Sequence, residues 1–226
     1  MKAPPRRRIY LMRHAQVRYF RGEHPHEVLL TENGKTQARA AAVALKDVPF
    51  DRVITSGLPR TLETAEVVAP DHELESNRAL REIESGELRG VSPERVQAMM
   101  TEAFRGVVPP ETQFLGGETI GELFDRVLPA LDDLLADPAW DTALLVLHGA
   151  VNRAILGRAI TGGHTFLGAF EQAPGCINVL DVAADGSFVV RAVGFTPYDP
   201  IHASAPRTTT MEELWQEYLD SRRRSP

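Results

Sequence analysis

Four short segments of the 226-residue chain carry side chains that could act together: Arg13-His14, Thr55-Ser56-Gly57 with Arg60, Arg81-Glu82, and His148-Gly149. Two arginines near a helix start suit a dianionic group, most simply a phosphoryl group. An imidazole is a competent nucleophile near neutral pH, because its reference pKa is about 6.5. A second imidazole, when protonated, adds positive charge beside the transferring oxygens. A carboxyl group can protonate a leaving alkoxide where burial or nearby negative charge raises its pKa. Phosphoryl transfer asks for little beyond positioning and charge stabilisation, so arginines and an imidazolium can stand in for a metal. Singly these residues say little. A histidine after a strand is more often structural, Arg60 alone would be a surface cation, and Glu82 lies in a charged run. The signal is that all of them fall at strand ends.

The elements that must position them follow from hydrophobic periodicity. Ile9–Met12 is an apolar run too short for a helix and reads as a buried strand. Thr31 offers an N-cap, and Ala38, Ala41, Ala42 and Leu45 form one helical face. Arg52–Thr55 is a second strand, and Pro59 opens a helix running to about Val68. Glu73–Asn77 is a third, weaker strand. A helix over Pro93–Phe104 is followed by a Gly/Pro-rich stretch, Arg105–Gly117. Thr119 caps a longer helix that Pro129 should kink or end half way. Thr142–Leu147 is the clearest buried strand, with the helix Val151–Ile160 directly behind it. Ile177–Asp181 and Phe188–Val193 form a hairpin around Ala184-Asp-Gly186. A last helix spans Met211–Arg222. Alternating strands and helices predict a three-layer α/β/α fold on a mostly parallel central sheet, where ligands bind beyond the carboxyl ends of the strands. No repeat or linker divides the chain. It is read as one domain over residues 1–226, with a smaller inserted segment, 86–118, over the site and a tail, 196–226.

Composition narrows the class. The chain is 43% hydrophobic and 25% charged, with a net charge of −6, which argues against nucleic acid as a partner. The single cysteine, Cys176, excludes an internal disulfide framework and a cysteine zinc site. No run approaches the roughly 18 apolar residues of a membrane span. The basic start, Met1–Arg8, has no apolar stretch behind it, which argues against a secretory signal and makes a cytoplasmic protein the expectation.

Six segments together resemble the histidine phosphatase superfamily, in its phosphoglycerate mutase-like branch. They are Leu11-Met-Arg-His-Ala-Gln16, Leu30-Thr-Glu-Asn-Gly-Lys-Thr-Gln-Ala38, Ile54-Thr-Ser-Gly-Leu-Pro-Arg-Thr-Leu-Glu-Thr-Ala65, Leu80-Arg-Glu-Ile-Glu-Ser-Gly-Glu-Leu-Arg-Gly90, Gly116-Gly-Glu-Thr119 and Leu147-His-Gly-Ala-Val-Asn-Arg153. Each is weak alone, but all occur in family order. The resemblance implies a phosphohistidine on His14, with Arg13, Arg60 and His148 holding the phosphoryl group. It implies a further donor from the Gly149 or Ala150 N–H, a proton donor in Glu82, and Glu118 behind the site supporting the histidine pair. The family's enzymes use no metal, and no cofactor is expected for this chain. Ala15 replaces the family's glycine. Val17-Arg-Tyr-Phe20 replaces a mutase run in which Asn stands at the position of Phe20, and Ile83-Glu-Ser-Gly86 replaces a mutase Arg-His-Tyr-Gly. Both departures favour a phosphomonoesterase, which must admit water, over a mutase, which must exclude it.

The expected partner is therefore a small phosphorylated substrate. A mutase, or a protein that binds phosphorylated ligands with little turnover, are the alternatives. Substrate would be read by the loops at 16–28 and 86–116 and by the tail, with Gln16, Arg21 and Arg89 as candidate contacts; Arg18 and Arg105, like Arg21 and Arg89, either contact an anionic substrate or are solvated surface. Met99, Met100, Phe104 and Phe114 are read as core packing, with an apolar wall of a substrate pocket as the alternative, and Cys176 as buried and inert. His24-Pro-His26 lacks a third metal ligand and is read as a loop at the site mouth. The last helix, with Leu214, Trp215, Tyr218 and Leu219, packs either on its own domain or on a second copy in a homodimer.

Overall fold

The computed structural model describes residues 6–20, 24–88 and 90–224. Arg21 and Arg89, two of the expected substrate contacts, lie outside the described residues. In chain order the elements are β1 (Arg7–Arg13), α1 (Glu32–Leu45), β2 (Arg52–Thr55), α2 (Pro59–Val68), β3 (Leu74–Ser76) and α3 (Pro93–Glu102). There follow β4 (Val107–Val108), α4 (Ile120–Ala136), β5 (Thr142–Leu147), α5 (Gly149–Thr161), β6 (Phe166–Leu167), β7 (Ile177–Val182), β8 (Phe188–Phe195) and α6 (Thr210–Arg224). Six strands form one sheet in the order β3-β2-β5-β1-β7-β8. β3, β2, β5 and β1 pair in parallel, and β7 alone runs against its neighbours. This is the expected α/β architecture.

Side-chain alternation along the central strands builds the two faces. Ile9, Leu11, Ile54, Ala143, Leu145 and Leu147 join one core with α4 and α5. Their neighbours Met12, Val53, Leu144 and Val146 join a second core with Ala41 and Leu45 of α1 and Ala65 and Val68 of α2. β5 is buried at every residue, as a strand covered on both sides must be.

Two expectations need correction. Of the two outcomes expected at Pro129, a kink or an end, the helix does not end: α4 has 17 residues and runs on from Pro129 to Ala136. A capping box of Thr119 and Glu122 starts this helix, and Leu123, Phe124, Val127, Leu128, Leu131 and Leu134 bury its apolar face. That burial outweighs the roughly 3 kcal/mol of a helix-interior proline. The sequence also conceals β4 and β6, which pair antiparallel as Val107 with Leu167 and Val108 with Phe166. Two residues each are too few to show a period, and only tertiary pairing creates them. α6 packs within its own chain: Met211, Trp215 and Tyr218 share a core with Val96 and Met100 of α3 and with Leu115.

Candidate active site

β1 and β5 lie side by side with Arg13 opposite Leu147, so His14 and His148 leave the sheet together. Their ring centroids are 5.2 Å apart. β2 flanks β5 on its other side and delivers Ser56, then Arg60 in the first turn of α2. His14 is pinned through its backbone, donating to Leu147 O at 2.9 Å and accepting from Gly175 N at 3.1 Å. The Ala15 N–H is held by Thr64 Oγ1 at 3.1 Å.

The hydrogen bonds fix both imidazole tautomers. His14 Nδ1 lies 2.8 Å from Ala15 O, an acceptor, so Nδ1 carries the proton and Nε2 keeps its lone pair. Nε2 is buried and makes no hydrogen bond within the protein. For His148 the chain starts at Leu58 O, which accepts from Thr61 Oγ1 at 2.8 Å. Ser56 Oγ therefore donates to Thr61 Oγ1 at 3.1 Å and accepts from His148 Nε2–H at 2.7 Å. His148 Nδ1, also buried and without a protein partner, is left as the ring's second functional atom. Burial, then the Arg60 and Arg13 charges, push the His14 pKa well below its ordinary value. Burial, Arg60, His14 and Arg13 do the same to His148. Both rings are thus neutral before an anion arrives, and the standing positive charge is that of the guanidinium groups. An incoming dianion reverses the balance and favours the imidazolium of His148, with Nδ1–H toward the anion.

Arg60 is 2% exposed and Arg13 Nη1 donates to Gln172 O. The Nε atoms of both are buried with no protein partner. Arg60 Nη1 donates to Pro25 O at 3.0 Å, tying the His24–His26 loop to the site mouth, where all three residues line the cavity. Among the described residues no group of three His, Cys, Asp or Glu side chains is arranged to hold a metal ion. Gln16 lines the same cavity, its side-chain oxygen accepting from Thr31 Oγ1 at 2.8 Å.

Glu82 meets the N-terminus of α5. Its carboxylate accepts from Gly149 N at 3.0 Å and from Ala150 N at 3.1 Å, the favourable place for an anion at a helix start. The Gly149 and Ala150 donors, expected to face a phosphoryl group, are therefore occupied by Glu82. A Cβ at Gly149 would lie 3.3 Å from Arg153 Nη1 and 3.6 Å from Arg13 Nε, so glycine lets the two guanidinium groups approach this turn.

Glu118 needs correction as well. Its side-chain hydrogen bonds go to Arg126 and Glu84, not to the histidine pair. Its carboxylate takes Arg126 Nε at 2.6 Å and Nη2 at 2.8 Å, and accepts from Glu84 N at 3.0 Å. Arg126 also donates to Ala79 O and Arg81 O at 2.7 Å and to Glu82 O at 3.2 Å. The pair clamps the segment that carries Glu82. Gly117 completes the clamp: a Cβ there would lie 2.3 Å from Glu84 O, so only glycine admits this strand-like approach.

Sequence reasoning missed three residues of this centre. Ser56 was in view beside Arg60 but had no assigned partner. Arg126 lies on α4, whereas Glu118 precedes the helix's N-cap, Thr119, so no helical spacing links the two and nothing in the sequence signals the pair. Arg153 is 2% exposed and donates to Gly168 O and Gly149 O at 3.2 Å, lining the cavity beneath Arg13. Phe104 and Phe114, expected to be core, stack at 5.5 Å and line the cavity too. Cys176 is buried as expected, and burial pushes its thiol up to about 12.

A model of the histidine phosphatase superfamily, branch 1, matches residues 9–194. A probable 2-carboxy-D-arabinitol-1-phosphatase of Arabidopsis thaliana is 30% identical over 201 residues, covering 85% of this chain and 40% of the relative. The chain thus spans less than half the length of that relative. A probable phosphoglycerate mutase of Serratia proteamaculans is 31% identical over 154 residues, 62% of this chain and 69% of the relative. Among solved structures, a mycobacterial glucosyl-3-phosphoglycerate phosphatase superposes with a TM-score of 0.70 at 22% identity, covering 84% of this chain and 99% of that one. A phosphoglycerate mutase from Bacillus anthracis gives 0.67 at 18%, covering 86% and 96%. The strand order, the paired imidazoles at neighbouring strand ends and the extent of the match lead to one statement: the chain belongs to branch 1 of the histidine phosphatase superfamily.

Proposed function

We propose that the chain is a phosphomonoesterase that needs no metal and works through a phosphohistidine on His14. The observation that carries this is the His14 ring itself: Nδ1–H is committed to Ala15 O at 2.8 Å, so Nε2 faces the arginine-lined cavity as a neutral nucleophile. Nε2 attacks phosphorus and the P–O bond to the alcohol breaks. The phosphoryl oxygens take the Gly149 and Ala150 N–H groups together with Arg13, Arg60 and His148 Nδ1–H. Glu82, released from the helix start, holds the proton that goes to the leaving oxygen. Water then attacks phospho-His14, Glu82 takes its proton, and the P–N bond breaks to release inorganic phosphate and restore neutral His14. Phe20 supports hydrolysis over a mutase cycle: it packs edge-on against Tyr218, with ring centroids 5.5 Å apart, and gives an apolar surface to the cavity.

The test is hydrolysis of an aryl phosphate in excess EDTA, with quenched-flow trapping of labelled phosphoenzyme. Acid-labile, alkali-stable label on His14, and loss of both label and turnover in His14→Ala, are expected. Full activity in that variant, or label on another residue, rejects the mechanism. Conversion of 3- to 2-phosphoglycerate with a bisphosphoglycerate primer would return the mutase reading. Among the described residues no helix is long and apolar enough to cross a membrane, and the assay uses purified protein in buffer.

A further inference from the structure

The turn at 171–176 leads into β7 and belongs to no strand, yet it meets Arg13 and His14 at three points. Cys176 O accepts from Arg13 N at 3.0 Å, and Gly175 N donates to His14 O at 3.1 Å. These two bonds continue the β1–β7 ladder beyond Met12 and Ile177. The third is of another kind: Gln172 O accepts from Arg13 Nη1 and so holds a side chain. Its own direction needs an anchor. The turn closes over 173–176, where Cys176 N donates to Ala173 O at 3.0 Å and Tyr198 Oη donates to Pro174 O at 2.7 Å. Gln172 lies upstream of that closure.

Its anchor is its own side chain, fully buried against Asn178 of β7, which is buried too. The two amides meet head-on. Gln172 Nε2 donates to Asn178 Oδ1 at 3.1 Å, and Asn178 Nδ2 donates to Gln172 Oε1 at 2.8 Å. Main-chain groups decide which way round they lie: Asn178 Nδ2 also donates to Leu11 O at 2.9 Å, and Oδ1 also accepts from Gly194 N at 2.8 Å. The Gly194 bond comes from a bulge. Ile177 pairs with Phe195 and Val179 with Ala192, so Val193 and Gly194 both stand opposite Asn178. Gly194 takes a φ of +66°, and the bulge aims its N–H at the amide. A buried amide left half-paired is unfavourable, so the pair has one arrangement. It ties Gln172 to Leu11, two residues before Arg13. Neither Gln172 nor Asn178 lines the cavity, so any effect on the reaction passes through another residue. On the phosphatase reading above, we propose that Gln172 and Asn178 are positioning residues for Arg13. Their amide pair fixes Gln172 O, which holds Nη1 and leaves Nε, buried and without a protein partner, for the phosphoryl group.

A double-mutant cycle on the full chain tests this, read as kcat/KM for p-nitrophenyl phosphate. Gln172→Met keeps the length of the side chain and removes the amide. It should lower kcat/KM about tenfold and weaken inhibition by orthovanadate to a similar degree, as a charge-assisted hydrogen bond to the anion is misaligned. In an Arg13→Ala background the same substitution should lower kcat/KM less than about twofold, whereas in Arg60→Ala the loss should stay near tenfold. Where Arg13→Ala leaves no rate to measure, Arg13→Lys is the background, since an ammonium lacks the fork that holds Gln172 O and the anion on separate edges. Loss of folded enzyme scales every background alike, so a purely structural role gives equal factors. Asn178→Leu breaks the pair from the β7 side and should repeat the pattern. Equal losses with and without Arg13 overturn the proposal while leaving the phosphatase intact. Failure of both variants to fold does the same, because the pair would then be a folding element alone. No turnover by the unaltered chain overturns the phosphatase reading and this one with it.

Discussion

Arg126 is not among the residues that line the cavity, yet it holds the segment carrying Glu82, the proposed proton donor. Its guanidinium is 26% exposed, and its partner Glu118 is 12% exposed. In Arg126→Met, Glu118 loses two short ion-pair hydrogen bonds, and the carbonyls of Ala79, Arg81 and Glu82 lose their donor. Removing one partner of a buried pair costs about 3–5 kcal/mol, and the partial exposure here puts the loss at the lower end, about 3 kcal/mol. For a chain of this size that lowers Tm by about 6–12 °C. The catalytic effect is separate and selective. A donor misplaced by about 1 Å loses on the order of 100-fold in rate, but only where the leaving group needs its proton. Arg126→Met should therefore lose about 100-fold in kcat on an alkyl phosphate and less than about fivefold on p-nitrophenyl phosphate, whose phenolate departs unassisted. Arg126→Lys should recover little, because one ammonium cannot span five acceptors. Calorimetry and paired kcat measurements well below the variant's Tm check this. Equal losses on the two esters would show that Arg126 acts on something other than Glu82, and an unchanged Tm would show that the clamp is dispensable.

Two further outcomes follow from the imidazoles. Both are held well below 6.5 in the folded state, whereas the unfolded chain titrates near 6.5. As pH falls below that value the unfolded state takes up protons that the folded state refuses, so folded stability is full above it and declines beneath it. The urea midpoint should drop more between pH 7.5 and 5.5 in the native chain than in His14→Gln/His148→Gln, and inorganic phosphate should offset the drop; equal declines would remove the histidines as its cause. Ser56→Ala leaves His148 Nε2–H without its acceptor and should lower kcat by roughly 10–100-fold while weakening inhibition by orthovanadate to a similar degree. Unaltered vanadate inhibition would show that the Ser56 contact does not set the ring's tautomer.

The parts that sequence reasoning placed well are those under a single dominant constraint. β2, α2 and β5 have the predicted bounds, because a short run buried on both faces, or a proline at a helix start, leaves few alternatives. Thr31 and Thr119 cap their helices as their hydroxyls suggested. His14, Arg13, Arg60, Glu82 and His148 all line or border one cavity, since each follows or opens an element at the same end of the sheet. What escaped depends on partners distant in sequence. β4 and β6 exist only through each other. Glu118 is an acid whose role is set by where Arg126 points, and Gly149 N and Ala150 N are donors whose acceptor lies 67 and 68 residues away. The stripe Leu214, Trp215, Tyr218 and Leu219 would look the same on a second copy as it does against α3, so only the fold decides its placement.

The sheet order has a consequence for synthesis. β1 and β2 never touch; the strand between them is β5, whose last residue is Leu147. A ribosome that has exposed the first hundred residues has made one imidazole, both guanidinium arms and the acid, yet nothing to hold them in line. The gap closes only when a segment from the far half slides into the middle and brings the other imidazole with it. Such late insertion of a central strand, joining residues 134 positions apart on one side and 91 on the other, belongs to the slower class of folding steps. Nascent and truncated chains therefore carry most of the candidate side chains without an assembled centre, and the proposed activity would arrive all at once.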